Sequence, residues 1–120
     1  MKKTCEAAVH AVGDAAVIEL TGEVDGGAAA VLNAAYEQAV AQGEPATVVL
    51  DFAHVDYINS TGIALIVSVL AWARAERRKV VASGLSEHYR EIFDITRLSD
   101  FIEVFGDLDA AVSQLAGPAS

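Results

Sequence analysis

Two short β-prone runs, Thr47-Val48-Val49-Leu50-Asp51-Phe52 and Lys79-Val80-Val81-Ala82-Ser83, flank a segment of helical character from Thr61 to Arg77. Nothing else in the chain constrains the fold as strongly. Both runs read as strands buried on two faces, and a strand, a helix and a second strand in that order build parallel pairing through a right-handed crossover. The apolar residues of the intervening helix, Ile63 to Val67 and Val69 to Ala73, are interrupted by Ser68 and closed by Arg74. They fall short of the roughly 18 residues that a membrane span needs, which predicts a buried helix and no membrane insertion.

Ahead of this unit, Ala7 to Val12 and Ala15 to Thr21 are β-rich, and Gly13-Asp14 between them suits a tight antiparallel hairpin. A loop over Gly22 to Gly27 leads to a helix over Ala28 to Gln42, where Val31, Leu32, Ala35, Tyr36, Ala39 and Val40 recur at helical spacing and Gly43 supplies the stop. After it come a helix capped by Ser86 and running to about Ile95, a short strand from Phe101 to Phe105, and a helix from Asp107 to Leu115. The order ββαβαβαβα predicts an α/β fold with a mixed sheet of four to five strands covered by four helices. With 120 residues and no linker-like shift in composition, one domain is expected over residues 1–120, its core at about 7–115 and a flexible tail at 116–120.

Eight Lys plus Arg stand against seventeen Asp plus Glu, a formal charge of −9, which disfavours nucleic acid and anionic membranes as partners. Cys5 is the one cysteine, and the start Met1-Lys2-Lys3-Thr4-Cys5-Glu6 lacks the apolar core of a secretion signal, so a cytoplasmic location is expected. Cys5, His10, His54 and His88 have no metal-site spacing, and no cofactor or metal is expected.

The segment Tyr57-Ile58-Asn59-Ser60-Thr61-Gly62-Ile63 leads from a buried strand into a helix. Asn59 or Ser60 at the N-cap would satisfy first-turn amides that otherwise lack partners, which is sufficient reason for these residue types. Asp25, within Gly22-Glu23-Val24-Asp25-Gly26-Gly27, is equally suited to a turn or a cap. The helix after Gly62 carries two apolar stripes, Ile63, Ile66, Val67 and Leu70 on one side and Leu65, Val69 and Trp72 on another. One sheet cannot cover both, so either neighbouring helices bury the second stripe or part of it, Trp72 foremost, is a protein-binding patch.

Two enzyme-like readings find little support. Asp51 at the end of a central strand fits a phosphoaccepting receiver domain, but the acidic pair and the lysine that would complete its Mg²⁺ cluster are not in place. Asn59-Ser60-Thr61-Gly62 is not the Gly-x-Ser-x-Gly of a nucleophile elbow, and no histidine falls into a pattern that would activate Ser60.

Four segments in this order, Leu20-Thr21-Gly22-Glu23-Val24-Asp25, Val48 to Phe52, Tyr57 to Ile63, and Gly84-Leu85-Ser86 with Phe93-Asp94-Ile95-Thr96-Arg97-Leu98, resemble the STAS domains of anti-sigma factor antagonists. The resemblance spans about Ala7 to Leu115 and implies a sheet with helices packed mainly on one side. It implies a non-enzymatic protein that binds an anti-sigma factor serine kinase of the histidine-kinase-like ATPase fold and is switched off by phosphorylation. Ser60 stands at the phosphoacceptor position, with Thr61 as the alternate. Asn59 stands where many relatives carry Asp, Gly62 matches the helix-opening glycine, and Asp25 becomes a partner contact. The resemblance equally admits a phosphorylation-independent scaffold or accessory subunit in a stress-signalling or lipid-transport complex. Monomer or weak dimer is the expected state.

Overall fold

The computed structural model describes residues 3–116; of the tail expected at 116–120, Ala116 instead ends the last helix and 117–120 lie outside the described residues. Nine principal elements follow one another: β1 (Glu6–Val12), β2 (Ala15–Val24), α1 (Ala29–Ala41), β3 (Thr47–Ile58), α2 (Ser60–Ala75), β4 (Lys79–Ser83), α3 (Glu87–Ile95), β5 (Glu103–Phe105) and α4 (Leu108–Ala116). Single 3₁₀ turns, Gly26–Ala28 and Leu98–Asp100, precede α1 and β5. The sheet runs β1-β2-β3-β4-β5, with β1 antiparallel to β2 and all other pairs parallel.

This strand order decides where the helices go. Three successive right-handed crossovers that step across the sheet in one direction must carry their helices over one face. α1, α2 and α3 accordingly share a core with the sheet, built from Ile18, Leu20, Leu32, Tyr36, Leu50, Phe52, Ile66, Val69 and Phe93. α4 follows the last strand and returns on the opposite face, where Ala111 covers Val17, Val49 and Val81. Strands covered on both faces explain why Thr47 to Phe52 is apolar without alternation.

The expected hairpin forms around Gly13, at φ +59°, with Val12 opposite Ala15. Three boundaries differ from expectation. β2 continues through Gly22 to Val24, so the loop shrinks to the turn at Asp25–Ala28. The last strand is only Glu103–Phe105, because Phe101 closes the preceding 3₁₀ turn with its amide on the Leu98 carbonyl. β3 extends six residues past Phe52 to Ile58. Its pairing with β2 slips twice: Asp51 to His54 spans the same stretch as Glu19 to Thr21, and Val55 to Tyr57 the same as Gly22 to Glu23. Each slip is a bulge that places an extra residue on β3 and breaks the period of two that would mark a strand in the sequence.

The two apolar stripes of α2 are also redrawn. Its buried line is Gly62, Ile66, Val69 and Ala73, which takes Ile66 from one expected stripe and Val69 from the other. Ile63, Leu65, Leu70 and Trp72 flank it, partly buried, and Val67 is exposed. α2 therefore lies with one face down on the sheet and its shoulders against neighbouring elements, so most of both stripes is accounted for by the fold itself.

Candidate functional site

The ends of β2 and β3 lie side by side, with Val24 opposite Ile58. One residue beyond each pair, the chain turns into the 3₁₀ turn at Asp25 and into α2 at Asn59. The Asn59 N–H donates to the Val24 carbonyl at 3.3 Å, tying the two turns together. Gly62 permits the closest approach. A Cβ there would overlap the Val24 carbonyl oxygen and sit 2.8 Å from its carbon, so only a residue without a side chain lets the first turn of α2 rest on the end of β2. The backbone of Gly26 in turn faces the Thr61 methyl group. Asp25, Asn59, Ser60, Thr61 and Gly62, five positions expected to share a function, are thus brought to one end of the sheet.

Their roles differ. Asn59 is the N-cap: extended at φ −98°, ψ −178°, it accepts from the Gly62 N–H through Oδ1 at 2.8 Å, while its carbonyl takes the Ile63 N–H at 2.9 Å. Since Asn59 fills the capping role, Ser60 does not have to. Ser60 and Thr61 are exposed in the first turn of α2, and no hydrogen bond among the described residues engages the Ser60 hydroxyl. Asp25 is largely buried and accepts from the Gly27 N–H at 2.9 Å, which shapes the facing turn. Its charge reaches inward as well: burial first, and then the carboxylates of Asp25 and Glu6, push the Cys5 thiol up from its ordinary range.

Trp72, the foremost candidate for a protein-binding patch, lies elsewhere. Trp72 is twelve residues along α2 from Ser60, about 18 Å at 1.5 Å per residue. There it packs on Tyr36 with ring centroids 4.4 Å apart and donates from Nε1 to Glu76 at 3.2 Å. The structure separates it from the Ser60 cluster and gives its ring a packing role. Asp56 lies back along β3, where it pairs with Lys3 at 3.3 Å on the surface. A residue that sequence reasoning passed over is Tyr57, 50% exposed at the end of β3, two positions before the cap. An aromatic side chain left in solvent beside a potential docking surface is the usual material of an interface anchor. With the strand expected to stop at Phe52, nothing in the sequence placed that ring.

No helix among the described residues is long and apolar enough to cross a membrane, and no group of three or more His, Cys, Asp or Glu among them is placed to hold a metal ion.

Residues 7–104 match the family model described as Mlab, STAS domain. The BtrV protein of Bordetella bronchiseptica, assigned by name to the anti-sigma factor antagonists, is 32% identical over 94 residues, 78% of this chain and 80% of its own. The anti-sigma-B factor antagonist of Listeria monocytogenes is 36% identical over 55 residues, 46% of this chain, and that match spans about half (48%) of the Listeria protein. Among solved structures, an anti-sigma factor antagonist from Mycobacterium paratuberculosis superposes with a TM-score of 0.77 at 20% identity, covering 94% of this chain and 95% of that one. SpoIIAA in its unphosphorylated form gives 0.74 at 21% identity over 95% and 99% of the two chains. The phosphorylated form of SpoIIAA, from Bacillus, gives 0.69 at 20% identity over 91% and 98%. The family-model match over residues 7–104 and the BtrV match over most of both chains show that the chain belongs to the STAS-domain family of anti-sigma factor antagonists.

Proposed function

We propose that this chain is a non-enzymatic, cytoplasmic antagonist that binds an anti-sigma factor kinase through the surface at the ends of β2 and β3, and that phosphorylation of Ser60 releases it. The observation that carries this reading is the exposed Ser60 hydroxyl, free of capping duty because Asn59 performs it. The exposed Thr61 and Tyr57 are the flanking contacts for the partner, Asp25 and Gly62 shape the surface from beneath, and Thr61 is the alternate acceptor. The relatives named as anti-sigma factor antagonists, and the existence of a phosphorylated form of SpoIIAA, support the assignment.

In the modification, Ser60 Oγ attacks the γ-phosphorus of ATP held by the kinase. An O–P bond forms, the bond to the β-phosphate oxygen breaks, ADP leaves, and the hydroxyl proton passes to a base that the kinase supplies. This chain contributes an acceptor held on a rigid helix start. The product carries about −1.5 to −2 charge at a helix N-terminus, where the dipole favours an anion by about 0.3–1 kcal/mol. Phosphorylation therefore leaves the fold intact and acts on the interface.

The test is incubation with ATP and each histidine-kinase-like ATPase encoded beside this gene, followed by intact mass and site mapping. One phosphate on Ser60, absent in Ser60→Ala while that variant still binds the kinase, is the expected result. No added phosphate with any such kinase overturns the phosphoswitch and favours a phosphorylation-independent scaffold.

A further inference from the structure

β4 stops pairing with β3 at Asp51 opposite Ser83, seven residues before β3 ends. At Gly84, φ +73°, the chain turns so tightly over β3 that a Cβ would lie 2.7 Å from the Ala53 nitrogen. From there to Ile58, β3 has β2 on one side and no strand on the other. Successive amides of a parallel strand point to opposite sides. The Asn59 N–H points to β2 and finds Val24, so the Ile58 N–H points to the side that β4 has vacated. There it donates to the hydroxyl of Tyr89, 2.9 Å away and buried. Tyr89 comes from the first turn of α3, whose start is fixed by the Ser86 cap on the Tyr89 amide at 3.3 Å and whose far end is fixed by Phe93, edge-on to Phe52 with centroids 6.3 Å apart. The two residues before Ser60 are thus clamped from opposite sides, Ile58 by α3 and Asn59 by β2.

We infer that Tyr89 is a positioning residue for phosphoryl transfer to Ser60: its hydroxyl stands in for a missing strand and sets the backbone from which the acceptor projects. This rests on the reading of Ser60 as acceptor. Tyr89 is nearly buried, so its hydroxyl acts on the acceptor through the Ile58 amide. Acceptor placement is steeply rate-determining in such transfers, where a misplacement of about 1 Å costs up to about 100-fold. Among the described residues the Tyr89 hydroxyl holds the Ile58 amide and bonds to no side chain of the proposed docking surface.

The experiment compares wild type, Tyr89→Phe and Ser83→Ala, the last losing a buried hydrogen bond to Asp51 (3.0 Å) in the same sheet but away from the clamp. Amide hydrogen exchange by NMR is measured first, without any partner. Tyr89→Phe should speed exchange at Ile58, Asn59 and Gly62, and Ser83→Ala should not. Phosphorylation kinetics with the kinase identified by site mapping come second. Tyr89→Phe should lower kcat about 10-fold with KM within about twofold, while Ser83→Ala keeps the wild-type kcat. Unchanged exchange in Tyr89→Phe overturns the clamp. Faster exchange with an unchanged kcat, or equal kcat losses in both variants, overturns the positioning role. Wild-type protein that accepts no phosphate refutes the acceptor reading, and with it the positioning role, while the exchange data still decide the clamp.

Discussion

Gly62→Ala sets two opposed effects against each other, and the structure says which wins. In an exposed helix interior, replacing glycine by alanine stabilises by about 0.8–1 kcal/mol through helix propensity. At Gly62 the added methyl would overlap the Val24 carbonyl and approach its carbon to 2.8 Å, with the Ile58 Cγ2 at 3.1 Å. The obstacle is backbone, so no rotamer change relieves it, and α2 must lift at its N-terminus. Overpacking of this kind costs about 1–3 kcal/mol and occasionally more. Lifting also stretches the Asn59 to Val24 hydrogen bond, worth about 1 kcal/mol. After the propensity gain, a net loss of about 1–3 kcal/mol remains, or a fall in Tm of roughly 4–12 °C for a chain of this size. Urea unfolding followed by far-UV circular dichroism and Trp72 fluorescence should show a lower midpoint at constant slope. Gly106→Ala, where a Cβ meets nothing within 4 Å, serves as the neutral control. A Gly62→Ala protein as stable as wild type would mean that α2 does not rest on β2, and the convergence of Asp25 with Ser60 would go with it.

Tyr36, fully buried, donates to Glu76 at 2.7 Å, and burial together with that carboxylate raises its phenol from 10.0 to about 12. The folded state holds this proton more tightly than the unfolded chain, so its contribution is complete below pH 10 and is lost as pH rises toward 12; stability curves over that window should flatten in Tyr36→Phe. The Cys5 thiol, buried and shifted up, should resist iodoacetamide at pH 8 in the native protein and react fully in denaturant, and rapid native labelling would contradict its packing. Ser60→Asp should leave Tm within about 1 °C of wild type, since an acidic residue suits a helix N-terminus. It should weaken kinase binding in calorimetry, and the full phosphate should weaken it about 30-fold to several thousandfold, the equivalent of about 2–5 kcal/mol for a poorly paired buried charge.

Much of the fold was legible because its signals are local. Thr47 to Phe52 and Lys79 to Ser83 advertise buried strands by composition, Gly13-Asp14 a hairpin, and Ser86 a cap that the structure confirms on the Tyr89 amide. The outer half of β3 was not legible, because its two bulges scramble the alternation and leave His54, Asp56 and Tyr57 exposed in a strand. For Trp72 the sequence left two readings open for a related reason: an apolar stripe shows that a helix has a second contact but not what makes it, and here Tyr36 of α1 packs on the ring. At the site, Asn59 and Ser60 were interchangeable as caps on residue type alone. Only the backbone geometry separates them, since the residue that stays extended accepts the bond and the next one enters the helix with its hydroxyl outward.

That division of labour has a further consequence for how a switch can be built without cost to the fold. Were Ser60 the cap, phosphorylation would turn its capping oxygen into a crowded bridging ester oxygen and force the cap to rearrange around the phosphate, and modification would trade binding against stability. With Asn59 holding the Gly62 amide at 2.8 Å, the proposed acceptor, Ser60, is relieved of any capping duty in the helix it stands on. Tyr89 and Val24 fix the backbone beneath it, and Gly62 brings the facing Asp25 turn close enough to form one continuous surface. Rigid support and an uncommitted hydroxyl are separate requirements, and this stretch of chain meets them with different residues. An Asn59→Ala variant should break the separation, because the Gly62 N–H loses its acceptor and the Ser60 hydroxyl, next along the chain, is of the type that accepts such a bond. Its hydroxyl would turn inward, and phosphorylation would slow even though the acceptor residue is unchanged.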